Sequence, residues 1–479
     1  MTGLGPLPKP GGLLHSARRI LPLAWPVLVG QLAVLAFSTV DTLLVARYGA
    51  VDLAALAVGS AAYISVFVGL MGVVLAVSPI AGQMYGARQF EEAGRQLQQA
   101  AWLALALSVP GCALLLAPQP FLDLAQASPP VAEKVRAYLR GIAFALPPAL
   151  LFTAFRGFNT AVSRPKVVML LQLGALALKF PISALLVFGL AWPTPWGELR
   201  IAAHGAAGAG MTTGVVMWLQ ALLVLWVLRR DPFYSPFRLQ GLGRPDPASL
   251  RTLLRLGVPM GLSVLIEVTG FTFMAFFIAR MGAVAVAGHQ LAANMISILF
   301  MVPLSLGNAT STLVAQRVGA HDPGDARRLA WDGLKMALLL ATVMGGGVYL
   351  ARTHVLRLYT HDEVIVGTAL PLLAWLAVFH LADAAQTVTS YILRAYRIVA
   401  IPLVIYAIAI WGVGLGGGYV LAFNVAGNVP ASMQGASGFW SAAALGLVLA
   451  GSGLSAFMAW LMRQQASDAA PVKVPPRAD

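Results

Sequence analysis

Ala46-Arg47-Tyr48-Gly49-Ala50-Val51 and Ala279-Arg280-Met281-Gly282-Ala283-Val284 agree at every position but the third within the same chain. The shift of 233 positions that superimposes them also sets Pro26 on Pro259 and Gln83-x-x-Gly86-Ala87 on Gln316-x-x-Gly319-Ala320. It runs without a gap for about 75 positions. Register held over so long a stretch marks an internal repeat rather than a chance motif.

The text around the repeat is that of a membrane protein. Of 479 residues, 59% are hydrophobic and only 10% charged, against about 25% charged in ordinary soluble domains; the mean hydropathy is +0.79. Apolar runs of about 20 residues cross the bilayer as helices, because lipid offers the backbone no hydrogen-bond partners. Twelve such runs are expected, at 21–45, 53–78, 97–118, 135–155, 167–191 and 205–228, then 253–279, 285–311, 332–351, 364–393, 399–422 and 437–462. Pro147-Pro148 reads as a kink inside the fourth run.

Six spans per copy bring the second copy back to the side on which the first began, so the repeats are parallel, related by an axis along the membrane normal. The expected fold is an all-α integral membrane protein with twelve transmembrane helices in two six-helix lobes. The domains are then an amino-terminal segment 1–20, a lobe 21–228, a linker 229–252, a lobe 253–462 and a polar tail 463–479. Parallel lobes of this kind bind between them, near mid-membrane, which favours a transporter over a gated channel or a membrane scaffold.

The formal net charge of +14 is unevenly spread. With the amino terminus inside, 23 of the 32 Lys and Arg fall in cytoplasmic segments and span ends, eight fall outside and Lys179 lies mid-span. This bias places both termini in the cytoplasm and removes the need for a nucleic-acid partner. No cleaved signal peptide is expected, the Pro- and Gly-rich start carrying Lys9, Arg18 and Arg19 ahead of the first span. Cys112 is the single cysteine, so no intrachain disulfide forms.

Against this apolar background three acids stand out: Glu267 and Asp383 within spans seven and ten, and Asp41 near the outer end of span one. A charge near the bilayer centre costs about 2.5–3.5 kcal/mol on insertion scales, so such residues face a bundle interior or a water path and handle ions. The repeat sharpens this: Glu267 aligns with Val34, Asp41 with Met274 and Asp383 with Ala145. None is duplicated, which separates these charges from the shared architecture. On the tenth span Gln386 and Thr387 follow Asp383 by about one turn, and Phe379 and His380 precede it. Glu267 and Asp383 together offer the hard oxygen ligands that Na⁺ prefers, or a pair that shares a proton. Ordinary interhelical hydrogen bonding accounts equally well for Gln386 and Thr387.

Lys179 has two readings: a partner that locks Asp41 until Asp41 is protonated, or a lysine that pairs statically or snorkels. Gly345-Gly346-Gly347 and Gly416-Gly417-Gly418 lack the Lys-Ser/Thr ending of a phosphate loop and suit close helix packing. There is no Walker motif, HExxH or CxxC, so the chain is not read as an enzyme and no cofactor is expected.

Taken together, Trp25-Pro26, Val40-Asp41-Thr42, Ser163-Arg164-Pro165-Lys166 and Gly288-His289-Gln290, with Glu267 and Asp383 on the seventh and tenth spans, resemble the multidrug and toxic compound extrusion family, NorM-type. The resemblance covers about residues 15–462. It implies an alternating-access antiporter in the bacterial inner membrane that exports small cationic drugs or dyes against Na⁺ or H⁺, with membrane lipids around it and no obligatory protein partner. By resemblance Glu267 and Asp383 match the cation site, Asp41 the protonated acid of the amino-terminal lobe, Pro26 a helix-bending proline, and Gln290 part of a family signature. Two departures show. Phe300 and Phe379 stand near positions where some relatives have Tyr, keeping a ring face without a hydroxyl. Lys179 stands where a neutral polar residue facing Asp41 is expected. A lipid-linked saccharide flippase of related architecture is the alternative within transport, and an ion channel or scaffold outside it; a flippase would carry more embedded cations than Lys179 alone.

Overall fold

Wherever the sequence is long and apolar enough to span, it forms a helix. A computed structural model describes residues 12–194, 197–239 and 241–468. The helices are α1 (Leu13–Tyr48), α2 (Ala50–Val74), α3 (Val77–Gly86), α4 (Phe90–Leu116), α5 (Gln119–Ala125), α6 (Pro129–Ala143), α7 (Leu146–Ala161), α8 (Pro165–Phe188), α9 (Ala206–Arg230), α10 (Pro247–Ala279), α11 (Ala283–Gly319), α12 (Pro323–Tyr359), α13 (Glu363–Ala395), α14 (Ala400–Ala407), α15 (Gly418–Ala422) and α16 (Ala436–Asp468). Among the described residues eleven helices are long and apolar enough to cross a membrane, and the bent pair α6–α7 passes the same test when its two helices are counted as one. Lys9 and most of the polar tail, residues 469–479, lie outside the described residues.

Helix breaks follow from proline chemistry. Pro147 and Pro148 have no N–H for the carbonyls of Ala143 and Phe144, and the chain bends by 46° between α6 and α7. Pro79 likewise leaves the Leu75 carbonyl without its helical donor, and α2 gives way to α3 at Leu75-Ala76. By contrast α1 remains helical through Pro22 and the buried Pro26, as α10 does through Pro259. The repeat is also visible in the backbone. Arg88 and His321, 233 positions apart, both adopt left-handed φ values (60° and 56°) just after the Gly-Ala that ends α3 and α11.

Two features were not anticipated. The connection between the fifth and sixth spans is an antiparallel hairpin, β1 (Leu190–Thr194) and β2 (Gly197–Ile201), with Leu190 opposite Ile201. Gly189 admits it with φ 75°; a Cβ there would lie 2.6 Å from the Ile201 carbonyl oxygen. Secondly, Ile408–Gly417, between α14 and α15, is a ten-residue π-helix, a rare geometry usually limited to a single turn.

The glycine runs divide. Gly418 lies against Phe439 of α16, where a Cβ would come within 2.6 Å of Cδ1, and a Cβ on Gly345 would lie 3.3 Å from the Ala377 carbonyl oxygen. Gly346 and Gly347 face open space, and Gly416 and Gly417 approach nothing closer than 3.5 Å. Close packing therefore rests on one glycine of each triplet, together with Gly446, whose added Cβ would run into the Ala409 carbonyl. Gly446→Val is expected to cost about 1–3 kcal/mol by overpacking, read as earlier thermal unfolding in detergent.

Chain contacts gather into two compact units: the described residues of Leu21–Thr272, and those of Met1–Ile20 with Phe273–Asp479. The first turns of α1 thus group with the later part of the chain. There Ser16 donates to Asp332 of α12 at 2.6 Å, and Arg19 reaches both carboxylate oxygens of Asp325 at 2.9 Å. In the other unit the start of α10 meets α4: Gln96 donates to Ser249, and Gln99 accepts from the Asp246 N–H.

Part of the linker is ordered by its own aromatics. A 3₁₀ helix, Pro232–Phe237, buries Tyr234 and Phe237; Phe237 packs on Tyr85, Phe90 and Phe158. Asp231 caps it, accepting from the Phe233 N–H at 3.0 Å and from Arg164 at 2.6 Å. The Phe233 N–H, joined by Arg164, holds the Asp231 carboxyl below the usual carboxylate range. A depressed folded pKa stabilises above the unfolded value and is lost as pH falls through the folded one. Asp231→Ala is expected to cost about 1 kcal/mol at neutral pH, with the gap to wild type closing in acid, measured as thermal unfolding against pH.

Candidate functional sites

In the Leu21–Thr272 unit, α1, α8 and α9 converge on a buried ion pair. Lys179 Nζ lies 2.7 Å from Asp41 Oδ2 and donates to Thr213 Oγ1 at 2.6 Å. Its third direction meets the ring of Phe37, 5.1 Å from the centroid. Ser183, one turn after Lys179 on α8, donates to Asp41 Oδ1 at 3.1 Å. The Lys179 side chain is 1% exposed and that of Asp41 10%. Both carboxylate oxygens have a donor, so the charges are paired and hydrogen-bonded, the condition under which buried ions are tolerated. Chemically this is an acid whose countercation is built into the chain.

Asp52 is a functional-looking acid that the sequence reading passed over. It is buried at the start of α2, 2.8 Å from Lys134 of α6, and accepts the Ala206 N–H at 2.9 Å. That N–H is one of the unsatisfied donors at the start of α9. Asp52 therefore ties α2, α6 and α9 together.

In the other unit, α13 presents Asp383, Gln386 and Thr387 on one buried face. Thr387 Oγ1 lies 3.2 Å from Gln386 Oε1 and 3.4 Å from Asp383 Oδ1, and its single proton serves one of them at a time. Gln386 donates to Ser390 at 3.1 Å. These three contacts all run along α13. Carboxylate, amide and hydroxyl oxygens lie together, a donor set suited to a hard monovalent cation or a proton.

Above this set Phe379 packs against Trp440 of α16 at 5.6 Å, and Trp440 Nε1 donates to His289 Nδ1 at 3.2 Å. Trp440 went unremarked in the sequence, where a tryptophan in an apolar span looks like any other. His289 is buried while its neighbour Gln290 is exposed, so the Gly-His-Gln signature splits between core and surface. His380 is buried with neither ring nitrogen hydrogen-bonded among the described residues. Phe300 is half-buried on α11. Glu267, half-buried on α10, belongs to the Leu21–Thr272 unit, not to that of Asp383.

Comparison with known proteins agrees with the repeat. The MatE family model matches twice, over residues 26–185 and 259–420, and the two matches start 233 positions apart. A probable multidrug resistance protein NorM of Aromatoleum aromaticum is 38% identical over 461 residues, covering 96% of each chain. Multidrug resistance protein PmpM of Pseudomonas aeruginosa is 32% identical over 92% of this chain and 91% of its own. Among solved structures, the eukaryotic MATE transporter AtDTX14 superimposes with a TM-score of 0.82 at 19% identity, covering 96% of this chain and 99% of that one. A multidrug resistance MATE family transporter solved in an outward-facing conformation gives 0.81 at 17% identity, covering 97% and 100%. Eleven to twelve candidate spans among the described residues and two matches to one family model in the same register have a single explanation: the chain is a multi-pass membrane protein that belongs to the MatE, or multidrug and toxic compound extrusion, family.

Proposed function

We propose that this protein is a cation-coupled multidrug efflux antiporter of the bacterial inner membrane, with both termini cytoplasmic, exporting organic cations by alternating access. The observation that carries the reading is the buried oxygen set of Asp383, Gln386 and Thr387 in a chain whose relatives bear multidrug resistance names. Na⁺ or H⁺ taken up at Asp383, and separately at Glu267, biases the two states of the transporter. The drug biases them in the opposite sense, since a ligand with equal affinity for both states shifts nothing. A monovalent cation entering down 100 mV releases about 2.3 kcal/mol. Exchange for one monocationic drug cancels that voltage contribution and leaves the ion's concentration gradient as the driving force. Pro26 gives α1 a place to bend, and Phe300, Phe379 and Gln290 offer ring faces and an amide to a cationic substrate.

In the amino-terminal half, Lys179 already occupies the position that a coupling cation would take beside Asp41. The pair acts as a lock that opens when Asp41 is protonated. Lys179→Ala is therefore expected to change the pH dependence of transport; an unchanged profile argues against the lock.

The test of the whole reading is ethidium efflux from proteoliposomes under separately imposed Na⁺ and proton gradients. Efflux that requires one of them supports antiport and names the ion. Passive ion current without drug movement would sink it in favour of a channel.

A further inference from the structure

The carboxyl end of α9 opens onto a cavity of about 430 Å³, walled in part by Arg229, Arg230, Asp231, Ser235 and Arg238. It is formed largely by the linker and takes no part in the transport reading. Its charge balance is one-sided. Asp231 is already engaged by Arg164 and by the Phe233 N–H, and Arg238 shares its charge with Glu91 at 3.2 Å. Among the described residues no carboxylate pairs with Arg229 or Arg230. The carbonyl end of α9 offsets roughly half of one positive charge. A surplus of more than one guanidinium remains.

The outer surface of α9 leads straight into this surplus. Leu222, Leu225 and Trp226 are 58%, 50% and 59% exposed, and with Arg229 they fall at positions i, i+3, i+4 and i+7, a single stripe along the helix. An apolar stripe inside a spanning helix faces acyl chains, and a tryptophan in its last turns sits at headgroup level. Guanidinium groups bind phosphate oxygens in two-pronged, charge-assisted hydrogen bonds. A free phosphate would use the arginines alone, whereas a phospholipid would use the arginines and the stripe.

We propose that this cavity seats the phosphate of an acidic phospholipid headgroup, with the acyl chains lying along Leu222, Leu225 and Trp226. The test uses the full-length protein, delipidated in detergent and titrated with phosphatidylglycerol or phosphatidylcholine, with bound lipid counted by native mass spectrometry. One phosphatidylglycerol should be retained in preference to phosphatidylcholine. Arg229→Gln with Arg230→Gln should weaken that retention about thirty-fold, the loss expected for two interfacial cations. Arg229→Lys with Arg230→Lys should hold it within a few-fold, which separates lost charge from lost fold. Excess inorganic phosphate should leave the lipid in place. Equal retention of the two lipids, or unchanged retention in the double glutamine variant, would overturn the site. Displacement by inorganic phosphate would assign it to a free anion and overturn the lipid.

Discussion

Lys179→Met is expected to lower stability by about 3–5 kcal/mol, the cost of leaving a buried charge without its partner. Methionine keeps the length of the stem but removes the ammonium that lies 2.7 Å from Asp41 and also holds Thr213. Ser183 then remains as the donor to Asp41, one neutral hydroxyl against a buried carboxylate. Asp41→Asn in the same background should recover most of the loss, because replacing both members of a buried pair is often close to neutral. Thermal unfolding of the two single variants and the double variant in detergent forms the cycle. A Lys179→Met protein that melts with wild type would mean that the pair contributes nothing to holding α1, α8 and α9 together.

Asp383→Asn is expected to abolish ion-driven efflux while leaving the fold intact. Asparagine has the same shape and can still accept from Thr387, so the local hydrogen bonds along α13 survive. What disappears is the negative charge that draws a cation into a buried site. Losing one partner of a desolvated charge contact costs about 2–5 kcal/mol, at least about thirty-fold in ion affinity. Glu267→Gln tests the other proposed member. Ethidium efflux under an imposed Na⁺ or proton gradient reads both, with unfolding temperature as the control. Coupled efflux unaltered in both variants would refute the cation site.

The spanning helices were legible because length and hydropathy act locally: an apolar run of 20 residues must satisfy its own backbone, whatever packs beside it. The bend at Pro147-Pro148 could be read for the same reason, and the break before Pro79 had the same chemistry but lay inside a run too apolar to draw attention. The π-helix at Ile408–Gly417 left only a glycine-rich trace, since wider turns change no composition. At the sites, the rarity of charge in apolar runs singled out Glu267, Asp383, Lys179 and Asp41. The chain from Phe379 through Trp440 to His289 could not be read, because it joins α13, α16 and α11 across 151 residues between Trp440 and His289. Asp52 escaped for a related reason: its partners Lys134 and Ala206 are distant in sequence, and an acid at a helix start looks like ordinary capping.

The bonds at the starts of α1 and α10 carry a consequence for how the molecule is assembled. Ser16 meets α12, and Ser249, its counterpart 233 positions later, meets α4, the counterpart of α12. Each copy of the repeat thus begins inside the body that the other copy completes, as two chains do in a domain-swapped dimer. The linker makes that exchange permanent within one polypeptide. A chain cut between Gly241 and Asp246 is therefore expected to yield two fragments, each holding the first turns that pack in the other's body.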